Sequence, residues 1–286
     1  FNYGVAASLG DLKTVITKFD NPTKLLSDNY VGKVLGDIWG YTTDGLFATD
    51  EEAAEYAAAI NDKNANKGVY ACKAPFDHLM AGDIKYVDVD GNKVIDTGAN
   101  TLDDPGDRKI IGNSKPRYNY SFRGDLSWYG IDLQIFLQGV GKMNWMPDAN
   151  CIYFWNTYSY HRPTFIPKDF EEKCWSSEEG ADNSKALYPR RRGRMCTSSN
   201  LVTSDYWLQD ASYIRLKNLT IGYTLPLKTK AVEKVRFYFS GENLRYWSPM
   251  KKWTDVVDPE VATSNAYGDC SYPYSKTFSF GVNITF

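Results

Sequence analysis

The sequence lacks any continuous apolar run long enough to cross a membrane as a helix. A transmembrane helix needs about 20 consecutive, predominantly apolar residues, and no stretch of this 286-residue chain reaches that length. The amino-terminal segment FNYGVAASLGDLK alternates polar and apolar residues, so it does not resemble a signal peptide. We therefore expect the chain to begin inside a longer protein.

The chain also lacks a large excess of positive or negative charge. The formal net charge is only -2, whereas a nucleic-acid-binding domain is expected to be strongly basic. The one basic run, residues 190–194, is interpreted as a solvated loop. Nucleic acid is therefore not an expected partner.

Catalytic signatures are missing as well. The chain has two histidines, His78 and His161, and neither lies in a nucleophile or metalloprotease motif. No glycine loop of the phosphate-binding type is present. We do not expect an enzyme.

The five cysteines lack the CxxC spacing of zinc sites. They are Cys72, Cys151, Cys174, Cys196 and Cys270. Two interpretations remain open: one loop disulfide among Cys151, Cys174 and Cys196, or free thiols.

What the sequence does contain is strict alternation, clearest in the final segment KTFSFGVNITF. Phe278, Phe280, Val282, Ile284 and Phe286 fall on one face of an extended strand, and the intervening residues are polar. A half-buried strand of a soluble sandwich alternates in this way, and so does a strand of a membrane barrel that has lipid outside and a polar lumen inside. The final segment alone favours neither.

The other alternating segments, and the distances between them, favour the barrel. Strands are predicted at 1–17, 117–128, 131–141, 213–225 and 235–247, with a bulge near Asn218 where the alternation changes phase. The connections are alternately short and long, and the long ones are residues 18–116, 142–212 and 248–276. Compact soluble domains seldom contain such long connections, whereas membrane barrels have short periplasmic turns and long extracellular loops.

This alternation predicts which side chains contact lipid and which line the lumen. The lipid-facing set is Phe280, Val282, Ile284, Leu133 and Ile135, and the lumen-facing set is Ser279, Asn283, Gln134 and Gln138. Tyr118 and Trp247 are expected near the outer membrane interface and Trp128 near the inner one. Six strands are too few for a closed barrel, so the remainder of the same barrel is expected elsewhere.

Several segments, in order, resemble a known family. They are similar to the carboxyl-terminal part of SusC/RagA-type TonB-dependent outer-membrane transporters. The six segments are NPTKLLSDNYVGKVLGDIWGYTTDGLF, GDIKYVDVDGNKVID, DRKIIGNSKPRYNYSFRGDLSWYGIDLQIFLQGVG, YIRLKNLTIGYTLP, VRFYFSGENLRYW and YPYSKTFSFGVNITF. The resemblance implies an all-β fold, in which residues 1–286 form the last ~6 strands of a transmembrane antiparallel β-barrel of about 22 strands with long extracellular loops. The plug domain and TonB box of the family have no counterpart in this chain.

The resemblance also implies a function and partners. The family imports nutrients through the outer membrane of Gram-negative bacteria, here expected to be Bacteroidota, and works with TonB and a SusD-like surface lipoprotein. The expected substrate is an oligosaccharide or a peptide. Phe286, the aromatic carboxyl-terminal residue, is similar to the signal that the barrel-assembly machinery recognises.

One motif predicts a metal site. DVDGNKVID places Asp88, Asp90, Asn92, Val94 and Asp96 at positions 1, 3, 5, 7 and 9 of an EF-hand-like calcium loop. Position 6 is Lys93 rather than glycine, and position 12 is Ala99 rather than glutamate; Asp103, Asp104 or Asp107 could supply the missing acid. No cofactor is required, and the alternatives are bound Ca²⁺ or carboxylates that only cap a turn.

Aromatic residues crowd the second and third long connections. Trp155, Tyr158, Trp175 and Trp253 are candidate anchors for the lipoprotein or the substrate, because exposed aromatic side chains contribute strongly to interfaces. The alternative is that they pack the loops against one another.

Two functions therefore compete. The first is TonB-dependent nutrient import. The second is a secreted all-β carbohydrate-binding module without a transport role, which would be soluble without detergent.

Overall fold

A computed structural model describes residues 1–60, 79–147, 168–191, 200–227, 231–253, 257–262 and 274–286. Its main feature is a six-stranded antiparallel sheet. The strands are β1 (Asn2–Gly10), β6 (Arg117–Trp128), β7 (Ile131–Lys142), β10 (Tyr213–Pro226), β11 (Lys234–Trp247) and β12 (Thr277–Thr285). They lie in the order β1-β6-β7-β10-β11-β12, so each strand pairs with the next one along the chain that belongs to this sheet.

The remaining elements lie in the long connections between these strands. They are β2 (Asp37–Tyr41), β3 (Thr43–Leu46), helix α1 (Asp50–Ala59), β4 (Ile84–Tyr86), β5 (Arg108–Asn113), β8 (Asn144–Trp145), helix α2 (Phe170–Lys173) and β9 (Gln209–Asp210), with 3-10 helices at Asn183–Lys185 and Pro249–Lys252. They form three two-stranded sheets, β2-β5, β3-β4 and β8-β9. In the described ranges, no helix combines the length and apolar character needed to span a membrane.

The predicted strands are confirmed, with one difference at the start of the chain. The first strand ends at Gly10 rather than at residue 17. Residues beyond it leave the sheet because they pair with a later segment: Val15 bridges Val34, and the Leu35 amide donates to the Thr14 carbonyl at 3.0 Å. The alternation of the sequence continues past Gly10 only briefly, and the hydrogen bonds of this second pairing end the strand.

The pairing register separates the two faces of the sheet. One row of cross-strand partners contains only apolar or aromatic side chains and crosses all six strands: Tyr3, Leu126, Leu133, Ile221, Phe239 and Phe280. The neighbouring row lies on the opposite face: Gly4, Asp125, Gln134, Thr220, Ser240 and Ser279. Because successive side chains of a strand point to opposite faces, the sheet has one apolar and one polar face.

The bulge predicted near Asn218 is confirmed. The register of β10 shifts between Leu216 and Asn218 against both of its neighbours. The shift moves Arg215 onto the polar face and Leu216 onto the apolar face, where it pairs with Leu137. A bulge of this kind redirects side chains without ending the strand.

All three long connections leave the sheet at the same end. Gly10 pairs with Asn119, Tyr213 with Val140, and Ile214 with Trp247. The opposite end carries the short turn Tyr129–Gly130 and the connection between β10 and β11. Both turn residues have positive φ, 45° and 86°, as a two-residue turn compatible with strand twist requires.

The buried core lies in the long connections and at the sheet end next to them. Its fully buried members include Trp207, Phe170, Met143, Ile84 and Tyr86. Val140 and Tyr213, at the loop-side ends of β7 and β10, join the same cluster. The described parts of the three long connections therefore form a packed layer at one end of the sheet, here called the loop layer.

Candidate functional sites

The apolar face of the sheet has exposed side chains on central strands as well as on the edge strands. Central residues Ile221 and Phe237 are 46% and 48% exposed, and Phe280 on the edge strand is 82% exposed. A groove of about 740 Å³ on this face is lined by these three side chains together with Tyr223 and Val282. A contiguous apolar surface of this extent marks a contact with lipid or protein.

The polar face holds hydrogen-bonded and ion-paired side chains. Arg236 Nε donates to Asp132 Oδ1 at 2.9 Å across two strands. The hydroxyl groups of Thr220 and Ser240 lie 3.1 Å apart. These polar groups bond to one another within the face. The face therefore needs no apolar layer packed over it and suits a water-filled lumen.

A buried ionic cluster fixes the third long connection to the polar face near its loop-side end. The Arg215 guanidinium, 1% exposed, pairs with Asp258 and lies 2.9 Å from Glu260. Lys217 Nζ donates to Glu260 Oε1 at 2.7 Å. The Tyr246 ring lies 4.8 Å from the guanidinium carbon of Arg215. No sequence pattern reveals this cluster, because its charges are 43 residues apart and only the bulge places Arg215 on the polar face.

The predicted calcium loop forms a carboxylate group that differs in membership from the prediction. Carboxylate oxygens of Asp88, Asp90 and Asp107 lie within 4.8 Å of one another. Asp107 comes from outside the nine-residue motif and is one of the three acids that the sequence offers in place of the missing glutamate. A divalent cation accepts such oxygen ligands, and these three carboxylates are the candidate ligands.

The other motif residues cap the loop. Asn92 Oδ1 accepts from the Val94 amide at 2.7 Å, and Asp96 Oδ1 accepts from the Gly98 amide at 2.7 Å. Lys93, where glycine is usual, has a φ of 66°, a conformation that glycine adopts without strain. Turn capping is therefore observed, and calcium binding stays a prediction.

Asp107 is the most constrained member of the carboxylate group. Its side chain is 0% exposed, and its two oxygens accept from the Val89 amide at 2.7 Å and the Asp96 amide at 2.9 Å. Burial raises the pKa of this carboxyl above its ordinary value, although the amide hydrogen bonds act in the opposite direction. A cation would favour the ionised form that burial disfavours.

Two of the four aromatic anchor candidates pack within the loop layer. Trp253 contacts the rings of Tyr188, Tyr206 and Trp207 at centroid distances of 5.7, 6.0 and 5.8 Å. Trp175 lies under the Arg190 guanidinium at 5.2 Å. These contacts suit the loop-packing alternative, while both side chains remain partly exposed. Trp155 and Tyr158 lie outside the described residues.

Two further predicted features have definite positions. Phe286 is 86% exposed at the sheet end opposite the loop layer, and its assembly role stays a prediction. Cys174 is a free thiol; the other four cysteines lie outside the described residues.

Comparison with known proteins gives two kinds of relative. TonB-dependent receptor P26 of Formosa agariphila is 25% identical over 224 residues, which cover 73% of this chain and 20% of the receptor. TonB-dependent receptor P3 of the same organism is 27% identical over 277 residues, which cover 89% of this chain and 22% of the receptor. No protein-family model matches the chain.

The solved structures agree in fold. The structure of the RagAB peptide transporter aligns with 100% of this chain, and the alignment covers 27% of the transporter chain. The sequence identity is 20% and the TM-score is 0.61. The structure of the RagAB peptide importer in its open-open state aligns with 99% of this chain, and the alignment covers 27% of the importer chain. The sequence identity is 17% and the TM-score is 0.53.

The fold class is therefore that of a transmembrane antiparallel β-barrel, of which these six strands form an open part. Within that class, the chain is similar to the TonB-dependent receptors of the SusC/RagA type, as its sequence motifs predict. It spans about a fifth of the length of the curated relatives.

Proposed function

We propose that this chain forms part of the barrel wall of an outer-membrane transporter. The transporter uses energy delivered through TonB to import a nutrient. The observation that carries the proposal is the two-faced sheet: an unbroken apolar row crosses all six strands. The rival function, a soluble carbohydrate-binding module, would leave this face in water at a large hydrophobic cost.

The orientation follows from the connections. Barrels of the bacterial outer membrane have short periplasmic turns and long extracellular loops, so the loop layer faces outward and the turn Tyr129–Gly130 faces the periplasm. The polar face, with its ion pairs and hydroxyl groups, lines the lumen. The solute on the import path is an oligosaccharide or a peptide, and the similarity in fold to RagAB, a peptide transporter, supports the second of these.

We further propose that the loop layer binds a SusD-like surface lipoprotein. The described residues of the layer pack around a buried core, which holds the elements at its surface in place. Helix α1 contributes acidic residues to that surface, and Glu51 and Glu55 are both exposed. A photo-crosslinking residue at Glu51 or Glu55 of the complete protein should capture the lipoprotein in intact cells, and one at Tyr129 should not. Equal capture at both ends, or at neither, would contradict docking on this layer.

Transport is tested by uptake. Cells with the gene should accumulate labelled peptides or labelled oligosaccharides from a size-graded panel, and cells without the gene, or without TonB, should lose uptake of the same members. Uptake that is independent of the gene for every member of both panels would contradict import. A purified protein that stays monodisperse in buffer without detergent would favour the soluble module instead.

A further inference from the structure

The apolar face carries a single charged side chain, Arg245, among the residues of the six strands that the structure describes. Arg245 pairs with Leu216, which pairs with Leu137 and then with Phe122, so its register position lies on the apolar face. The side chain is not buried, and no carboxylate of the described residues pairs with it. A cation on this face is costly in the middle of a bilayer and much less so near the interface. The depth of Arg245 in the membrane therefore decides how well this side chain is tolerated.

Arg245 lies near the loop-side end of the apolar face. On β10 the distance from Leu225 to Leu216 is roughly 30 Å along the strand at about 3.4 Å per residue, and only the Ile214–Trp247 pair continues this face further toward the loops. With a strand tilt of about 40°, this corresponds to a height of about 23 Å, close to the ~25 Å apolar band of outer-membrane barrels. Arg245, opposite Leu216, is therefore at the level where the hydrocarbon region gives way to the headgroups.

Trp247 lies on the same face, two residues further toward the loops. The Arg245 guanidinium lies 5.3 Å from the Trp247 ring, which is 46% exposed. Stacking uses the face of the guanidinium and leaves its N–H groups, which lie in the plane, free to donate. A groove of about 430 Å³ opens beside Trp247 and is also lined by Tyr120 and Ile214, two residues of the same face.

We propose that Arg245 and this groove bind the headgroup of a phosphorylated lipid in the leaflet on the loop side. This lipid site rests on the proposed barrel function, because that function places lipid against the apolar face. A lone, fixed cation at headgroup level complements a phosphate, which a guanidinium binds with two parallel hydrogen bonds. The aromatic groove fits the less polar part of the same headgroup. A lipid headgroup is favoured over a soluble anion as the ligand, because the site lies on the surface that faces lipid.

The test uses the complete protein in neutral phosphatidylcholine vesicles that contain either diphosphorylated lipid A or the same lipid without its phosphates. After extraction in mild detergent, native mass spectrometry measures the lipid A that remains bound. Wild-type protein should retain the phosphorylated form preferentially. Arg245→Gln should reduce retention about tenfold, since hydrogen bonds to charged groups have about that effect on affinity, and Arg245→Lys should fall between the two.

The matched control is Arg123→Gln, an exposed arginine of the same sheet on the polar face, and it should retain lipid as the wild type does. Equal lipid A retention by wild type and Arg245→Gln would overturn the inference. Equal retention of the phosphorylated and unphosphorylated lipids by the wild type would also overturn it. So would displacement of bound lipid A by inorganic phosphate that is as effective as displacement by free lipid A. In these cases insertion into vesicles and uptake would be intact, so the proposed function would stand. A wild-type protein that fails to enter vesicles would instead overturn the proposed function and this inference together.

Discussion

At the scale of single residues, we expect a large loss of folding stability from substitutions in the buried ionic cluster around Arg215. Asp258 is 2% exposed and pairs with Arg215, which is itself 1% exposed. Removing Asp258 leaves two cations, Arg215 and Lys217, with Glu260 as their one remaining carboxylate in the cluster. A buried charge without compensation typically costs about 3 to 5 kcal/mol. Asp258→Ala should therefore lower the unfolding temperature of the complete protein in detergent and make the connection between β11 and β12 sensitive to protease.

Asp125→Ala is the control for that substitution. Asp125 pairs with Arg123 on the same face, but both side chains are substantially exposed, 35% and 60%, and exposed pairs contribute at most about 1 kcal/mol. Equal stability of the Asp258 and Asp125 variants would contradict a stabilising role for the buried cluster.

The carboxylates of Asp88, Asp90 and Asp107 give a second prediction at this scale, which concerns calcium and pH. Ca²⁺ at about 100 times its Kd should stabilise the protein by about 2.7 kcal/mol, and Asp107→Asn should abolish most of this effect. Asp103→Asn, at an exposed position paired with Lys24, should leave it unchanged. Calorimetry with and without a chelator measures both.

The sign of the pH dependence follows from the raised pKa of Asp107. Without a cation, a carboxyl whose pKa is raised by burial contributes stability below its unfolded pKa, about 3.9, and loses that contribution as pH rises through the folded pKa. With Ca²⁺ the ionised form is the one that binds, so stabilisation by calcium should decrease as pH falls toward the folded pKa. Calcium stabilisation that increases with acidity would contradict this assignment.

The same residues show how far sequence reasoning reaches. The spacing of Asp88 and Asp90 is local, so a motif finds it. Asp107 follows 11 residues after Asp96, and the backbone hydrogen bonds that bring it back are visible only in the fold. Sequence could name Asp103, Asp104 and Asp107 as candidates, but it could not choose among them.

At the scale of elements, each strand of the sheet is expected to tolerate charge on one face only. Ile221→Lys places a cation near the middle of the apolar face, where lysine costs about 2 to 4 kcal/mol in a barrel wall. Thr220→Lys, one residue earlier, places the same side chain on the polar face. Urea titration of the protein folded in vesicles should show the loss for Ile221→Lys alone. A larger loss for Thr220→Lys would mean that the two faces are assigned the wrong way round.

Strand positions and faces were predictable because alternation is encoded residue by residue. The bulge in β10 was predictable for the same reason, since the apolar phase changes between Leu216 and Leu219. The end of β1 was not, because it depends on pairing between Val15 and Val34. Nor was the position of Trp253, whose partners Tyr188 and Trp207 belong to another connection. Alternation specifies the sheet, whereas contacts between connections specify the loop layer.

At the scale of the whole molecule, the position of every long connection at one end of the sheet predicts its orientation in the membrane. A single cysteine in place of Glu51, on helix α1, should react with a membrane-impermeant maleimide added to intact cells. A cysteine in place of Tyr129, in the short turn, is also at an open position, since Tyr129 is 86% exposed, but it should react only after the outer membrane is permeabilised. The native cysteines are replaced by serine first, so that the signal reports these positions alone. The ratio of labelling before and after permeabilisation then gives the orientation directly. Labelling of Tyr129→Cys in intact cells, with Glu51→Cys protected, would invert the barrel, and it would place the loop layer where no surface lipoprotein could reach it.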